Sequence, residues 1–237
     1  LFLNKRGVDP AIATGPFITT SNDIRNAGVI TTVDPSATQR GELRLNPASF
    51  VGVTGSSMST SGTTDGQTAG NVEVNAYYSI FNHGNIDATG SDSLSSDAGN
   101  GGNVNLDASR ILQNTAEINT HGGDALAGIA GNGGSIYLNA DEGALTNSGD
   151  LNAFGGNGLS GGDGSDIDLE SDTDGGLRNS GAISTYGGSS TGGHGGNAGT
   201  IDMTNEGGEL ISSGELLAYG GNTSDDNFSA GDGDDVD

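Results

Sequence analysis

Residues 101–123 read GGNVNLDASRILQNTAEINTHGG. The first run in this stretch, Val104-Asn105-Leu106-Asp107-Ala108, alternates apolar and polar residues with a period of two, which is typical of a strand with one buried face. A second, shorter run follows at Ile118-Asn119-Thr120, and between the two lie the aliphatic Leu112 and a polar turn. The stretch therefore predicts two strands and a turn, and the glycine-rich loop that follows would close the chain into one coil.

The same pattern recurs along the chain at intervals close to 32 residues. The first run begins at Val72, Val104, Ile136, Ile167 and Ile201, with spacings of 32, 32, 31 and 34. The second run begins at Ile86, Ile118, Leu151, Ile183 and Leu216. One such coil cannot bury its aliphatic side chains, whereas stacked coils align them into a continuous core. The repeat predicts an all-β protein, a right-handed parallel β-solenoid of about seven coils.

The clarity of the repeat divides the chain into three parts. Residues 1–40 are predicted to form an irregular N-terminal coil, although Ile24 to Thr32 match Leu177 to Thr185 in degraded form. Residues 41–220 contain the regular repeats. Residues 221–237 form an acidic, glycine-rich loop whose last seven residues repeat the pattern of Gly162 to Asp168, so they are expected to lead into a further coil.

Composition narrows the range of partners. The chain has 31 Asp and Glu against seven Lys and Arg, a net charge of −24 that repels nucleic acids and anionic membrane surfaces. No apolar run approaches the roughly 20 residues needed to span a bilayer, so no membrane insertion is expected. The absence of cysteine is compatible with export, because a long solenoid gains stability from each added coil without disulfides.

Two kinds of side chain recur at fixed positions of the coil and are expected to stack. An asparagine follows the middle aliphatic residue, which predicts an amide ladder formed by Asn26, Asn82, Asn114, Asn147 and Asn179. One position after the second run lie Thr89, His121, Phe154, Tyr186 and Tyr219. A row of rings stabilises a solenoid by stacking. The alternative is that Phe154, Tyr186 and Tyr219 bind the flat faces of sugars.

The outward positions of the first run are rich in acidic and amide side chains. Stacking would place carboxylates close together, and such oxygen clusters suit Ca²⁺. Residues 161–166, GGDGSD, also resemble the start of an RTX calcium nonapeptide. The candidate calcium ligands are therefore Asp163, Asp166, Asp168 and Asp202. The alternative is an acidic face that is simply hydrated.

The blocks GGNVNLDA (101–108), LTNSGDLNAFGG (145–156), LRNSGAISTYGG (177–188) and GGNAGTIDM (195–203) resemble the repeats of filamentous-haemagglutinin-type bacterial surface adhesins. The resemblance covers residues 24–237. It implies a secreted right-handed β-helix that serves in attachment, aggregation or matrix.

Catalysis is not expected. The three histidines, His83, His121 and His194, fall in different coils and at different coil positions, so they assemble no site. The leading hypothesis is an extracellular or cell-surface structural solenoid: a stalk, matrix or filament component that adheres through its shape. Its partners would be further coils of the same protein or stacked copies of itself. The second hypothesis is a calcium-dependent segment of an adhesin that binds glycans on host or cell surfaces.

Overall fold

The structure is a computed structural model that describes residues 17–19, 22–32, 38–172 and 175–237. In these ranges the chain forms 21 β-strands, numbered β1 to β21 in chain order, and no helix. Every strand pairs with the strand three positions away along the chain, and all pairings are parallel. The chain thus passes through three sheets in each coil. The predicted all-β parallel solenoid is confirmed.

The strands of each sheet follow one another at intervals of one coil. The first sheet consists of β1 (Phe17–Thr19), β4 (Leu43–Asn46), β7 (Val72–Ala76), β10 (Val104–Ala108), β13 (Ile136–Ala140), β16 (Ile167–Ser171) and β19 (Ile201–Asn205). The second consists of β2 (Ile24–Asn26), β5 (Phe50–Gly52), β8 (Ile80–Asn82), β11 (Leu112–Asn114), β14 (Leu145–Asn147), β17 (Leu177–Asn179) and β20 (Leu210–Ser212). The third consists of β3 (Val29–Thr31), β6 (Ser57–Ser59), β9 (Asn85–Asp87), β12 (Ile118–Asn119), β15 (Leu151–Asn152), β18 (Ile183–Ser184) and β21 (Leu216–Leu217).

The register is the one that the repeat predicts. Val104 pairs with Val72 and Ile136 in the first sheet, and Ile118 pairs with Ile86 and Leu151 in the third. Seven strands per sheet correspond to about six turns, close to the predicted seven coils. One feature differs from the prediction: the segment around Leu112 is itself a strand, so each coil has three strands and not two.

The core is a set of apolar columns that run between the three sheets. Leu106, Leu112 and Ile118, one from each strand of the same coil, are completely buried, and the equivalent residues of neighbouring coils stack on them. From Ala88 to Ala218, the inward position after the third-sheet strand alternates between Ala and Thr, which are small enough for the narrow bend. Thr120 and Thr185 are fully buried there, and each hydroxyl donates to a glycine carbonyl, at 2.5 and 2.6 Å.

The glycine-rich loops between the third sheet and the next first-sheet strand also stack. The N–H of Gly131 donates to the carbonyl of Gly123 in its own loop (2.9 Å), and the N–H of Gly156 in the next coil donates to Gly131 (2.9 Å). The loop therefore folds back on itself. Along the solenoid, backbone hydrogen bonds within one loop alternate with bonds between the loops of successive coils. A Cβ on Gly131 would lie 1.9 Å from the carbonyl oxygen of Gly99. Glycine is required there because the backbones touch.

The two end regions are described in part. Of the predicted irregular coil, residues 1–40, the described portion supplies β1, β2 and β3, and the remainder lies outside the described residues. Near residue 237, Val236 forms a parallel bridge with Ile201 of β19. This bridge occupies the position that the repeat assigns to the next coil.

Candidate functional site

Four of the five predicted ladder asparagines form one continuous line inside the second sheet. The Nδ2 of Asn82 donates to the Oδ1 of Asn114, Asn114 donates to Asn147, and Asn147 donates to Asn179, each at 2.8 Å. Each of the last three also donates to the carbonyl two residues ahead. All four side chains are at most 1% exposed.

The fifth asparagine, Asn26, lies apart from this line. Gly52 takes the asparagine position in the coil between Asn26 and Asn82. Asn26 donates instead to the carbonyl of Ser57, at 3.1 Å. A Cβ at Gly52 would lie 2.8 Å from the Oδ1 of Asn82, so the glycine makes room for the first member of the line.

The aromatic column is a stack of parallel rings. Ring centroids are 4.8 Å apart between His121 and Phe154, 4.7 Å between Phe154 and Tyr186, and 5.1 Å between Tyr186 and Tyr219, with interplanar angles of 7° or less. The ring faces point along the solenoid axis and cover one another. Of the three candidate glycan-binding rings, only Tyr219, half exposed, has a face that no other described ring covers. A sugar ring that stacks face to face therefore finds one platform here, not three.

The outer face of the first sheet carries acidic and amide columns with little positive charge. Glu73, Asn105, Tyr137, Asp168 and Asp202 lie in register along one column. Arg44 contacts Glu73 at one end (Nε to Oε2, 3.3 Å). At the other end, Asp168 and Asp202 line a shallow cleft of about 250 Å³. Three asparagines of this face, Asn75, Asn105 and Asn139, each have a buried Oδ1 that accepts no hydrogen bond from any residue that the structure describes.

Crowding and burial raise the pKa of carboxyl groups on this face. Partial burial raises the pKa of Asp168, and the negative charges of Asp166, Asp202 and Glu170 add to the effect. Burial and the charge of Asp141 raise the pKa of Asp107, while the amide of Asn139 partly offsets the shift by donating to the carboxylate. The pKa of Tyr137 is also raised, by burial and by the hydrogen bond that its hydroxyl donates to Glu170 (2.6 Å).

The four candidate calcium ligands do not share one position. The carboxylate of Asp163 accepts the backbone N–H of Asn197 (2.8 Å), and that of Asp166 accepts the N–H of Thr200 (2.9 Å), in each case from the next coil. Only Asp168 and Asp202 are adjacent on the outer face. In the part of the chain that the structure describes, no group of three or more His, Cys, Asp and Glu side chains could hold a metal ion. Calcium binding remains a prediction.

The histidines are dispersed. His83 contacts the hydroxyl of Thr115 (2.7 Å), His121 belongs to the aromatic stack, and His194 contacts Ser229 (2.9 Å) and meets the ring of Phe228 edge-on. The structure brings none of them beside another histidine.

One cleft was missed by the sequence analysis. It lies at the corner that follows β7, has a volume of about 490 Å³, and is lined by Tyr77, Tyr78, Asn46, Asn75 and Asp107, among others. Two consecutive tyrosines in a chain with only 5% aromatic residues are the sequence signal that could have found it.

Comparisons with protein-family models, curated proteins and solved structures found no match to this chain. The resemblance to filamentous-haemagglutinin-type adhesins thus depends on the repeat motif alone. Among the described residues, no helix is long and apolar enough to cross a membrane.

Proposed function

We propose that this chain is a length of an extracellular structural rod, a stalk, matrix or filament component at a cell surface that adheres through its shape. The observation that carries the proposal is the register of all three sheets from coil to coil. Each added coil pairs fully with the one before it, so a rod lengthens without a change in cross-section. The high negative charge suits a protein that must stay soluble outside the cell.

The coil formed by β19, β20 and β21 has an exposed apolar edge. Leu177 of β17 is fully buried, whereas Leu210, its neighbour in β20, is 45% exposed, and Leu216 of β21 is only partly buried. Exposed strand edges that carry apolar residues are templates for pairing with another strand. The partner in this proposal is another coil of the same kind, either from the same protein or from a second copy.

Negative-stain electron microscopy of the purified chain tests the proposal. We expect rods of uniform width that associate end to end as the protein concentration rises. The double variant Leu210→Lys/Leu216→Lys places charges on the stacking edge and should leave single short rods. Leu94→Lys, at a 74% exposed position in a glycine-rich loop, is the matched control and should associate as the parent does. Compact particles, or association that the edge variant does not reduce, would contradict the proposal.

A further inference from the structure

The cleft at the corner after β7 interrupts the regular surface of the solenoid. Its walls come from three successive coils, through Asn46, Asn75 and Asp107, and two tyrosines stand at its edge. A volume of about 490 Å³ lies within the range of small-ligand sites. A plain stalk needs only repeated coils, so this departure from the repeat requires its own explanation.

The tyrosines at this corner are exposed and fixed. Tyr77 is 70% exposed and Tyr78 is 45% exposed. The two ring centroids lie 4.8 Å apart, and the ring planes are inclined by 77°. The rings therefore meet edge to face, and neither covers the whole face of the other. Both backbone N–H groups donate to the preceding coil, at Pro47 and Ala48, and the guanidinium of Arg110 lies 5.6 Å from the centre of the Tyr78 ring. Unlike the inner rings of the aromatic stack, Phe154 and Tyr186, these leave apolar surface free for a ligand.

The polar residues of the cleft offer acceptors that lack donors. The Oδ1 atoms of Asn46 and Asn75 are buried and accept no hydrogen bond from a described residue, so a ligand reaches them only after the amides turn towards the cleft. The Nδ2 of Asn75 is already bound to Glu73 (2.7 Å), which leaves its oxygen as the free end of the amide. The carboxylate of Asp107 adds further acceptor capacity, since its one side-chain donor is Asn139, at 3.2 Å. A ligand that satisfies this set must carry hydrogen-bond donors.

A pyranose ring meets both requirements, because it presents C–H groups on one face and hydroxyl donors around its edge. Glycans that carry carboxylate or sulfate groups are disfavoured, since Asp107 and Glu73 would repel them. A bare cation would satisfy the oxygens but would make no use of two exposed aromatic rings. We propose that the Tyr77–Tyr78 cleft binds a neutral glycan, whose sugar ring packs on a tyrosine while its hydroxyls donate to Asp107 and to the amide oxygens of Asn46 and Asn75 once these turn towards the cleft.

This inference goes beyond the structural role and does not depend on it: a rod that fails to stack can still bind sugar, and a stacking rod can fail to bind. It also places the glycan site away from the aromatic stack. The rings of Phe154, Tyr186 and Tyr219 in that stack largely cover one another's faces.

Affinity electrophoresis in native gels tests the proposal with defined polysaccharides. The probes are laminarin, galactomannan, xylan and hydroxyethylcellulose as neutral polymers and polygalacturonate as an acidic one. We expect at least one neutral polymer to retard the chain and polygalacturonate to leave it unretarded. Tyr77→Ala should weaken the affinity derived from retardation at least tenfold, because it removes an exposed ring. Tyr77→Phe, which keeps the ring, should bind within about threefold of the parent.

Phe154→Ala in the aromatic stack is the matched control and should bind as the parent does. A melting temperature of Tyr77→Ala close to that of the parent will show that lost binding is not lost folding. The proposal is overturned if no neutral polymer retards the chain, or if both Tyr77→Ala and Tyr78→Ala bind as the parent does. It is equally overturned if Phe154→Ala abolishes binding while Tyr77→Ala preserves it.

Discussion

Two polar columns run along this solenoid, and the hydrogen bonding of asparagine differs between them. Inside the second sheet, the amides of Asn114 and Asn147 donate and accept within one buried line. On the outer face of the first sheet, the column that contains Glu73 and Asp168 includes Asn105, whose buried Oδ1 accepts no hydrogen bond from a described residue. A closed ladder holds coils together and has no free donor or acceptor for a ligand. The outer column contributes less to cohesion, and its carboxylates remain available to protons and water.

The largest expected effect comes from breaking the closed ladder. Asn147→Ala removes three hydrogen bonds and leaves the Nδ2 of Asn114, the Oδ1 of Asn179 and the carbonyl of Gly149 without their partner in the core. We expect the free energy of unfolding to fall by about 3 kcal/mol or more, because buried polar groups without partners are costly. Guanidinium-induced unfolding followed by circular dichroism measures the change.

Asn105→Ala provides the control on the outer column, where the side-chain oxygen already lacks a donor. We expect a change within about 0.5 kcal/mol, as for most substitutions that break no buried contact. If the two variants lose similar stability, the contrast between the columns is wrong.

A smaller effect is expected where a carboxylate serves as part of a ladder. Asp163 stacks in register between Asn132 and Asn197, and at each step a side-chain oxygen accepts the backbone N–H of the next coil. Asn in place of Asp keeps that oxygen. We therefore expect Asp163→Asn to change stability by less than about 0.3 kcal/mol and Asp163→Ala to lose about 1 kcal/mol.

The same pair of variants tests the calcium hypothesis. If Asp163 only joins coils, addition of CaCl₂ or EDTA will shift the melting temperatures of the parent and of Asp163→Asn equally. A calcium-dependent gain in stability that appears in the parent and disappears in Asp163→Asn would instead identify Asp163 as a ligand.

The solenoid could be predicted from the sequence because its buried positions repeat. Val104, Leu106 and Ile118 have aliphatic equivalents in neighbouring coils, and their spacing alone set the strand register. The middle strand was missed because its second buried residue, Asn114, is polar, so Leu112-Gln113-Asn114 resembles an aliphatic residue followed by a polar turn. Two coils earlier, β5 was also missed, since Gly52 replaces the asparagine that marks the position elsewhere.

The candidate sites were harder to predict, for a physical reason. Stacking is determined by residues that recur, whereas the Tyr77–Tyr78 cleft exists because one corner departs from the repeat. The repeat pattern also could not predict the orientation of a ring. The sequence placed Phe154 and Tyr186 in one column, but only the geometry shows that their faces point along the axis.

The smallest expected effect is a dependence of stability on pH that originates in the outer column. Because the pKa of Asp168 is raised in the folded protein, the folded state binds this proton more tightly than the unfolded chain does. The resulting stabilisation is fully present below the unfolded pKa of about 3.9 and is lost as the pH rises through the higher folded pKa.

At pH 7, Asp168→Asn should thus be more stable than the parent, by a few tenths of a kcal/mol given solvent screening. Unfolding curves at pH 4, 5, 6 and 7 should show the two proteins converging towards pH 4, and added NaCl should narrow the gap at pH 7. The amides of the inner ladder do not titrate, so the deficit of Asn147→Ala should stay constant over the same range. If the difference in free energy of unfolding between Asp168→Asn and the parent is unchanged from pH 4 to 7, the ionisation of Asp168 does not affect stability and the proposed pH dependence is wrong.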